Sequence, residues 1–250
     1  MSLNYLNGVK LVKVTNDEQG FARWGRDSPR GRHRARAHLL RQRHRLEPEV
    51  VVQAALEVLD QAGLDGLSIR VIADRLGVRG PALYWHFRNK QALLDEMAEA
   101  MLAERAAELR PPADDEAWSD WLAQTAGWLR RALLSHRDGA RVFAGTTLPS
   151  EPTFLRMLDM VVAALHGVGF AWGDALRAAM SIYVYVEGWT IEEQSMPPPE
   201  AFAPAEEFPN TAELPALRAG FAEFELDADR GFEHGLGLLL AGLRSSLPGA

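Results

Sequence analysis

Residues 67–95 read LSIRVIADRLGVRGPALYWHFRNKQALLD, and this stretch predicts two short helices joined by a tight turn. Ser68 carries a hydroxyl that can cap a first helix running from Ile69 to Leu76. Gly77 supplies the left-handed backbone conformation that ends this helix, and Pro81 has the fixed φ angle of a helix start. A small residue before the turn and an apolar residue after it complete the spacing of a helix-turn-helix, Ala73 and Leu83.

A helical hairpin with a glycine turn is the alternative interpretation of this stretch, since such hairpins are common in all-α proteins. The outward positions of the second helix and the residues after it argue against that alternative, because they are aromatic or basic: Tyr84, Trp85, His86, Arg88 and Lys90. A face of this kind suits contacts with phosphates and with the edges of bases. The sequence therefore predicts that the two helices bind DNA.

The same residues resemble the tetracycline repressor family of transcriptional regulators. The similarity begins near Leu46 and covers five segments: LEPEVVVQAALEVLDQAGLDGLS, ALYWHFRNKQALLDEMAEAML, ALLSHRDGARVFAGT, IEEQ and FEHGLGLLLAGL. The resemblance implies an all-α homodimer with a three-helix helix-turn-helix DNA-binding head and a larger helical body for ligand binding and dimerisation. It also implies that a small molecule bound to the body releases the protein from operator DNA.

Carried over to this chain, the resemblance assigns a set of residues to DNA binding. Ser68 and Arg70 would meet a phosphate and a base edge, and an arginine fork matches the two major-groove acceptors of guanine. In the recognition helix the residues expected to face DNA are Pro81, Ala82, Tyr84, Trp85 and His86, and Lys90 would hold a phosphate. Gly80 departs from the pattern, because many relatives have a longer base-reading side chain there, so part of the readout must come from elsewhere.

The body departs further from the tetracycline repressor itself, which holds a tetracycline-bound magnesium with histidines and a glutamate. The matching histidine positions are Phe143 and Ala106 here, and only Glu192 has a counterpart. Neither a phenyl ring nor a methyl group can ligate a hard cation. We therefore do not expect magnesium-tetracycline to be the inducer.

Charge divides the chain at residue 45. The whole chain has a net charge of −7, but residues 1–45 hold 11 Lys and Arg against 3 Asp and Glu, which is +8. This predicts a basic, arginine-rich and flexible arm at 1–45, and the resemblance implies a DNA-binding domain at 46–92 and a ligand-binding and dimerisation domain at 93–250. The arm can follow phosphates or the minor groove. A solvated tail without function and a misplaced start codon are the alternatives.

After the helix-turn-helix, the sequence predicts helices at about 90–109, 114–135, 138–145, 151–167, 172–194, 213–225 and 229–246, with a proline-rich loop at 196–211. The last two long helices are rich in small residues and predict a dimer interface formed by a four-helix bundle, with an intramolecular core as the alternative. The residues concerned include Ala178, Ala179, Gly188, Gly231, Gly235, Gly237 and Gly242. Asp138 is expected to cap a helix and His136 to complement a helix dipole.

Two aromatic stripes at helical spacing are candidate walls of a ligand pocket, although such stripes more often form a core. One contains Trp121, Thr125 and Trp128, and the other contains Tyr185, Trp189 and Glu192. With Phe143 and Met157 these residues suit a large, flat, mostly apolar ligand. Glu192 would supply a hydrogen bond or a negative charge, unless it is an ordinary surface glutamate.

Other classes of protein find little support in the sequence. The chain has no cysteine, which excludes disulfides and thiolate sites, and no pattern for a cofactor, metal or phosphate loop is present. No membrane helix or secretory signal is expected, which predicts a cytoplasmic protein. We expect a ligand-responsive, dimeric repressor of a palindromic operator. The rival is a ligand-independent DNA-binding or architectural protein with a filled aromatic core, and an enzyme is a distant third.

Overall fold

The computed structural model describes residues 46–146, 152–197 and 214–247. These residues form helices and contain no strand, so the all-α prediction is confirmed. The predicted arm at 1–45 and most of the predicted loop at 196–211 lie outside the described residues. No helix in the described ranges is long and apolar enough to cross a membrane.

The head consists of two α-helices and a short 3₁₀-helix. We number the α-helices in chain order as α1 (Pro48–Gly66) and α2 (Ile69–Leu76), and the 3₁₀-helix Gly80–Trp85 is the recognition helix. The predicted second helix is therefore one residue longer at its start and is wound more tightly than an α-helix. A 3₁₀-helix is favoured only in short pieces, and this one has six residues.

The body begins with a helix that it shares with the head and continues with six more in the described ranges. They are α3 (Lys90–Ala103), α4 (Trp118–Leu133), α5 (Gly139–Ala144), α6 (Pro152–Gly167), α7 (Trp172–Ser195), α8 (Pro215–Glu223) and α9 (Ala228–Ser245). A single 3₁₀ turn, Ala106–Glu108, lies between α3 and α4. One continuous hydrophobic core runs from the head into the body. Buried side chains of α3 connect the buried side chains of the head with those of the body.

The helix predicted from about residue 90 to 109 begins at Lys90 as expected but ends early, at Ala103. Two tryptophans of α4 explain the difference, since their indole N–H groups donate hydrogen bonds to main-chain carbonyls of the segment that follows α3. Trp128 Nε1 donates to Arg105 O and Trp121 Nε1 donates to Arg110 O, both at 2.9 Å. This connector, residues 104–110, therefore lies along α4 instead of continuing α3.

Candidate DNA interface and its connection to the body

Two buried side chains anchor the recognition helix, and its aromatic residues Tyr84 and Trp85 are consequently exposed to solvent. Leu83 is fully buried and Phe87 is 4% exposed. Tyr84 is 54% exposed and Trp85 is 88% exposed. The two adjacent rings form an exposed aromatic patch, which suits contact with a binding partner.

The start of α2 follows the sequence prediction closely. Ser68 Oγ accepts a hydrogen bond from Val71 N at 3.3 Å, and Gly77 ends the helix with a φ of 66°. The Ser68 hydroxyl can still donate its own hydrogen to a phosphate, because it acts only as an acceptor in the cap. Arg70 extends into solvent with a side chain 91% exposed, and the nearest carboxylate oxygen, of Asp74, is 3.9 Å away.

The remaining residues predicted to contact DNA lie on the same surface, and one of them, Lys90, also forms a hydrogen bond within the chain. Pro81 and His86 are exposed, and Gly80 and Ala82 are partly exposed. Lys90 Nζ donates to Leu67 O at 2.9 Å, which ties the start of α3 to the loop before α2. Two of the three ammonium hydrogens remain for a phosphate.

A polar contact between α1 and the turn before α5 joins the head to the body. His136 Nδ1 lies 2.9 Å from Asp60 Oδ2, and Arg137 N donates to Asp60 Oδ1 at 3.1 Å. Leu64 N donates to Asp138 Oδ2 at 2.8 Å. The expectation that Asp138 caps α5 through its side chain was therefore wrong. Asp138 occupies the N-cap position with a φ of 56° and no side-chain cap bond, because its carboxylate caps the distorted end of α1.

Gly63 makes this contact possible. It has a φ of 70°, which interrupts the regular backbone of α1. A Cβ atom at this position would lie 2.8 Å from Asp138 Oδ2. Only glycine satisfies both the backbone angle and the close approach. We call the contact formed by Asp60, Leu64, His136, Arg137 and Asp138 the head–body clamp.

Helix α3 reinforces the clamp from the other side. Gln91 Nε2 donates to Gly145 O at 2.7 Å, just beyond the end of α5. The Glu99 carboxylate accepts from Thr153 N at 3.1 Å and from Thr153 Oγ1 at 2.6 Å, at the start of α6. A movement of α5 or α6 therefore acts on α3, and α3 is packed against the head.

The first aromatic stripe lines a cavity of about 150 Å³ between α4 and the connector. Trp121, Thr125 and Trp128 all border it. Both indole N–H groups are occupied by main-chain carbonyls, and Thr125 Oγ1 donates to Trp121 O at 3.0 Å. The other polar groups on the wall belong to Glu108, Arg110, Gln124 and Arg131. Arg131 pairs with Glu108, and Arg110 and Gln124 both bind Glu116.

Phe143 and Met157 do not border that cavity. Phe143 packs edge to face with Phe154 and Tyr183, at ring-centroid distances of 5.5 and 6.1 Å. Met157 borders a small internal void of about 20 Å³ next to Tyr183. The interior of the body is thus filled by an aromatic cluster whose Phe154 and Tyr183 the sequence analysis missed, because their spacing shows no stripe.

The second stripe packs on α9 within the same chain. Tyr185 Oη donates to Phe232 O at 2.8 Å, and Tyr185 stacks on the Phe232 ring at 5.6 Å. A Cβ atom at Gly231 would lie 2.5 Å from Trp189, and one at Gly235 would lie 2.4 Å from Tyr185 Oη. These two glycines therefore serve the packing of α7 on α9, which corrects their assignment to the dimer interface. Ala178 and Ala179 are also buried within the chain.

Glu192 is exposed, and its neighbour Glu193 makes the stronger contact. Arg130 of α4 donates two hydrogen bonds to the Glu193 carboxylate, at 2.7 and 2.8 Å, and also pairs with Asp229 at 2.7 Å. Its guanidinium lies 4.8 Å from the Phe232 ring centroid. The Glu193 hydrogen bonds are the main reason that the pKa of Arg130 is raised. This bridge joins α4, α7 and α9.

Glu187 is a half-buried carboxylate that the sequence analysis did not single out. It accepts a hydrogen bond from Tyr183 Oη at 2.8 Å. Burial raises the pKa of Glu187, and the tyrosine hydrogen bond opposes that shift. The sequence carries no clear signal for it, because Glu187 lies one turn from a tyrosine on a helix with several other acidic residues.

Comparison with known proteins places both parts of the chain in one family. Residues 51–97 match the family profile described as bacterial regulatory proteins, tetR family. Residues 110–247 match the profile described as tetracyclin repressor-like, C-terminal domain. The chain belongs to the TetR family. The helix-turn-helix and the helical body described above are the two parts that these profiles define.

Individual relatives in the TetR family cover most of the chain. The tetracycline repressor protein class A from transposon 1721 of Escherichia coli is 44% identical over 204 residues, which are 80% of this chain and 91% of that protein. A crystal structure of a TetR variant from Acinetobacter baumannii AYE in complex with minocycline is 38% identical, with a TM-score of 0.62, over 80% of this chain and 98% of the other. The structure of BioQ with its double-stranded DNA operator is 30% identical, with a TM-score of 0.60, over 80% and 99%.

Membership of the TetR family establishes the general function. TetR-family proteins are DNA-binding transcriptional regulators, not enzymes, which bind operator DNA through the helix-turn-helix head. They act as dimers and bind small molecules through the body. This chain is therefore a transcriptional repressor of that family, with its helix-turn-helix DNA-binding domain and its C-terminal domain.

Proposed function

We propose that this protein represses transcription from a palindromic operator as a dimer, and that a mostly apolar, aromatic small molecule releases it. The head–body clamp is the observation that supports this proposal most directly. It joins α1 of the head by hydrogen bonds to the turn between α4 and α5. Helix α5 carries Phe143 of the aromatic cluster in the body. A ligand that shifts α4 or α5 would therefore also shift the head.

The DNA side of the proposal depends on the exposed surface of the head. Arg70, Tyr84, Trp85 and His86 are exposed together, and a paired recognition helix from a second copy would read the other half-site. Two half-sites are read simultaneously only when the two recognition helices lie about 34–36 Å apart, which is one turn of DNA. A small change in the angle of the head is therefore sufficient to weaken operator binding.

The ligand side depends on the chemistry of the body. Phe143 is 1% exposed and packs against the rings of Phe154 and Tyr183, so this position supplies no metal ligand. We therefore propose an aromatic inducer that is not magnesium-tetracycline. Trp121, Thr125 and Trp128 would meet it at the cavity beside the connector, and Glu192 would act only if it reaches a neighbouring subunit.

The cavity beside the connector favours a second candidate function. Its volume of about 150 Å³ is below the roughly 300–1,000 Å³ of sites for drug-sized ligands. Together with the packed cluster around Phe143, it is compatible with a DNA-binding protein that does not respond to a ligand. A thermal-shift screen separates the two candidates, because stabilisation by planar aromatic compounds is expected only for the ligand-responsive protein.

We propose that the dimer forms through the exposed apolar faces of the last helices. Val184 of α7 is 57% exposed and Leu238 of α9 is 63% exposed. Within the described ranges, no atom lies within 4 Å of a Cβ position at Gly188, Gly237 or Gly242, so a second copy could approach closely there. Helix α8 and its flanks add the exposed apolar residues Leu217, Phe221, Phe224 and Leu226.

The predicted division of the chain is part of the proposal. It assigns 1–45 to the basic arm, 46–92 to the DNA-binding domain, and 93–250 to the ligand-binding and dimerisation domain. Helix α3, Lys90–Ala103, crosses the second boundary and is the element through which the two domains would communicate. A cytoplasmic location, where operator DNA lies, completes the proposal.

Arg70→Ala should weaken binding to the operator by about 1–3 kcal/mol and relax the preference at one base position, since the variant loses one bidentate base contact. Binding to random DNA should change much less. The measurement is anisotropy of labelled operator and random duplexes. Arg75→Ala is the matched control, because Arg75 donates within the head to Glu57 and Gln61 at 2.8 and 3.0 Å. Equal losses on both duplexes for Arg70→Ala would contradict the assignment.

Asp138→Ala should reduce the ratio between the operator affinities measured without and with a ligand. The variant leaves Leu64 N without its acceptor and separates the head from the body at the clamp. The ligand is a compound taken from the thermal-shift screen, and tetracycline with and without magnesium is included for comparison. Asp174→Ala is the control, because Asp174 forms only an exposed pair with Arg177 on α7. An unchanged ratio for Asp138→Ala would mean that the coupling passes through other contacts.

A further inference from the structure

The head carries five cationic side chains near the proposed DNA surface, and they differ in the hydrogen bonds and ion pairs that they form within the chain. Arg75 is bound to Glu57 and Gln61, and Lys90 donates to Leu67 O. Arg70 lies 3.9 Å from Asp74. Arg79 and Arg88 are exposed, and their guanidinium groups form no hydrogen bond or ion pair with another residue in the described part of the chain. These two guanidinium groups are therefore available without breaking an internal contact.

Arg79 is the available cation that directly precedes the recognition helix. Its backbone is extended, with a φ of −90° and a ψ of 143°, and it occupies the N-cap position. Its carbonyl oxygen accepts from Ala82 N at 2.8 Å, which holds Arg79 at the start of that helix. In a helix-turn-helix the N-terminal residues of the recognition helix meet the edges of the bases. Arg88, by contrast, follows the other end of the helix.

The next residue, Gly80, leaves space beside Arg79. Among the described residues, a Cβ atom at Gly80 would meet no other atom within 4 Å. The surface beside Arg79 is therefore open at this point. Gly80 itself can read no base, because it has no side chain.

We propose that Arg79 determines operator specificity by reading a guanine in the major groove, at the place in the recognition surface that Gly80 leaves without a side chain. The proposal depends on the proposed function as a DNA-binding repressor. The planar guanidinium fork donates to O6 and N7 of guanine together, which gives discrimination that a single ammonium cannot reproduce. Each half-site would then contain a guanine read by Arg79 in addition to the base met by Arg70.

The test is a selection of full-length protein on a pool of duplexes with a randomised core, followed by affinity measurements on the selected site. Wild-type protein should select a palindrome with a guanine–cytosine pair at one fixed position in each half-site. Arg79→Ala should lose the preference at that position and bind the wild-type site roughly 5- to 150-fold more weakly. Binding to random duplexes should change little. Arg79→Lys should keep part of the affinity without restoring the preference, because lysine has no fork.

Arg88→Ala is the matched control, since Arg88 is equally exposed and unpaired among the described residues. It should weaken all duplexes to a similar degree and reduce the dependence of affinity on salt. The proposal is overturned if Arg79→Ala selects the same palindrome as the wild type, or if it behaves as Arg88→Ala does. If the wild type selects no palindrome, the proposed function fails and this inference fails with it. Both arginines are solvent-exposed, so circular dichroism should show unchanged folding for both variants.

Discussion

Trp121→Ala is expected to lower the free energy of unfolding by about 3–5 kcal/mol, the range for removing a buried tryptophan. Trp121 is 2% exposed, and its indole both fills the space below the connector and donates to Arg110 O. Urea denaturation followed by circular dichroism measures the loss. The connector should also become more accessible to proteolysis, because the indole is one of the two α4 groups that hold it.

A second variant separates the packing contribution from the hydrogen bond. Trp121→Phe retains most of the buried ring surface but leaves the Arg110 carbonyl without its indole donor, so the expected loss is about 1 kcal/mol. If Trp121→Ala is as stable as the wild type, the indole does not anchor the connector. If Trp121→Phe retains its stability but no longer responds to a ligand, the residue also belongs to the ligand site.

Gly235→Val is expected to reduce the free energy of unfolding by about 1–3 kcal/mol or more, because extra atoms are forced into a packed contact. The new Cβ atom would meet Tyr185 Oη at 2.4 Å and push α9 away from α7. The same displacement should weaken dimer formation, since α9 carries Leu238 of the proposed interface. Urea denaturation gives the stability, and sedimentation velocity gives the state of assembly.

Gly237→Val is the matched control for the packing of α9 on α7, but not for dimer formation, because Gly237 lies in the proposed interface. It makes the same substitution on the same helix, so the difference in helix propensity cancels, and no atom lies within 4 Å of its Cβ position. Stability should therefore fall much less than in Gly235→Val. Adding Tyr185→Ala should recover part of the loss in Gly235→Val, because it removes the atoms that collide. Equal losses in the two valine variants would show that the glycine does not determine the approach of α9.

The clamp and the Arg130 bridge suggest how the body could transmit a change. Arg130 links α4 to Glu193 of α7 and Asp229 of α9, whereas Asp138 links the turn after α4 to the head. Both contacts lie near the C-terminal end of α4. A rotation of α4 around an occupied cavity would therefore displace the head and the helices α7 and α9 together. Binding of one ligand would then change both the head and the proposed dimer interface.

Much of the head was predictable because its signals are local. The cap at Ser68, the left-handed turn at Gly77 and the buried Leu83 depend on residues a few positions apart. Helical periodicity similarly predicted the helices of the body to within a few residues. The winding of the recognition helix was not predictable in this way, since its six residues are too few to show a period.

The sequence by itself determined the all-α class, the helix-turn-helix and the aromatic composition of the body, because each depends on residue type and short spacing. Only the tertiary structure decided which groups those residues meet. It placed the Trp121 and Trp128 indoles on connector carbonyls, the Asp138 carboxylate on α1, and Gly231 and Gly235 against α7. The reason is physical: a helical period fixes the side of the helix on which a residue lies, whereas its partner is fixed by the packing of distant helices. Partners separated by 74 residues, as Leu64 and Asp138 are, leave no periodic signal.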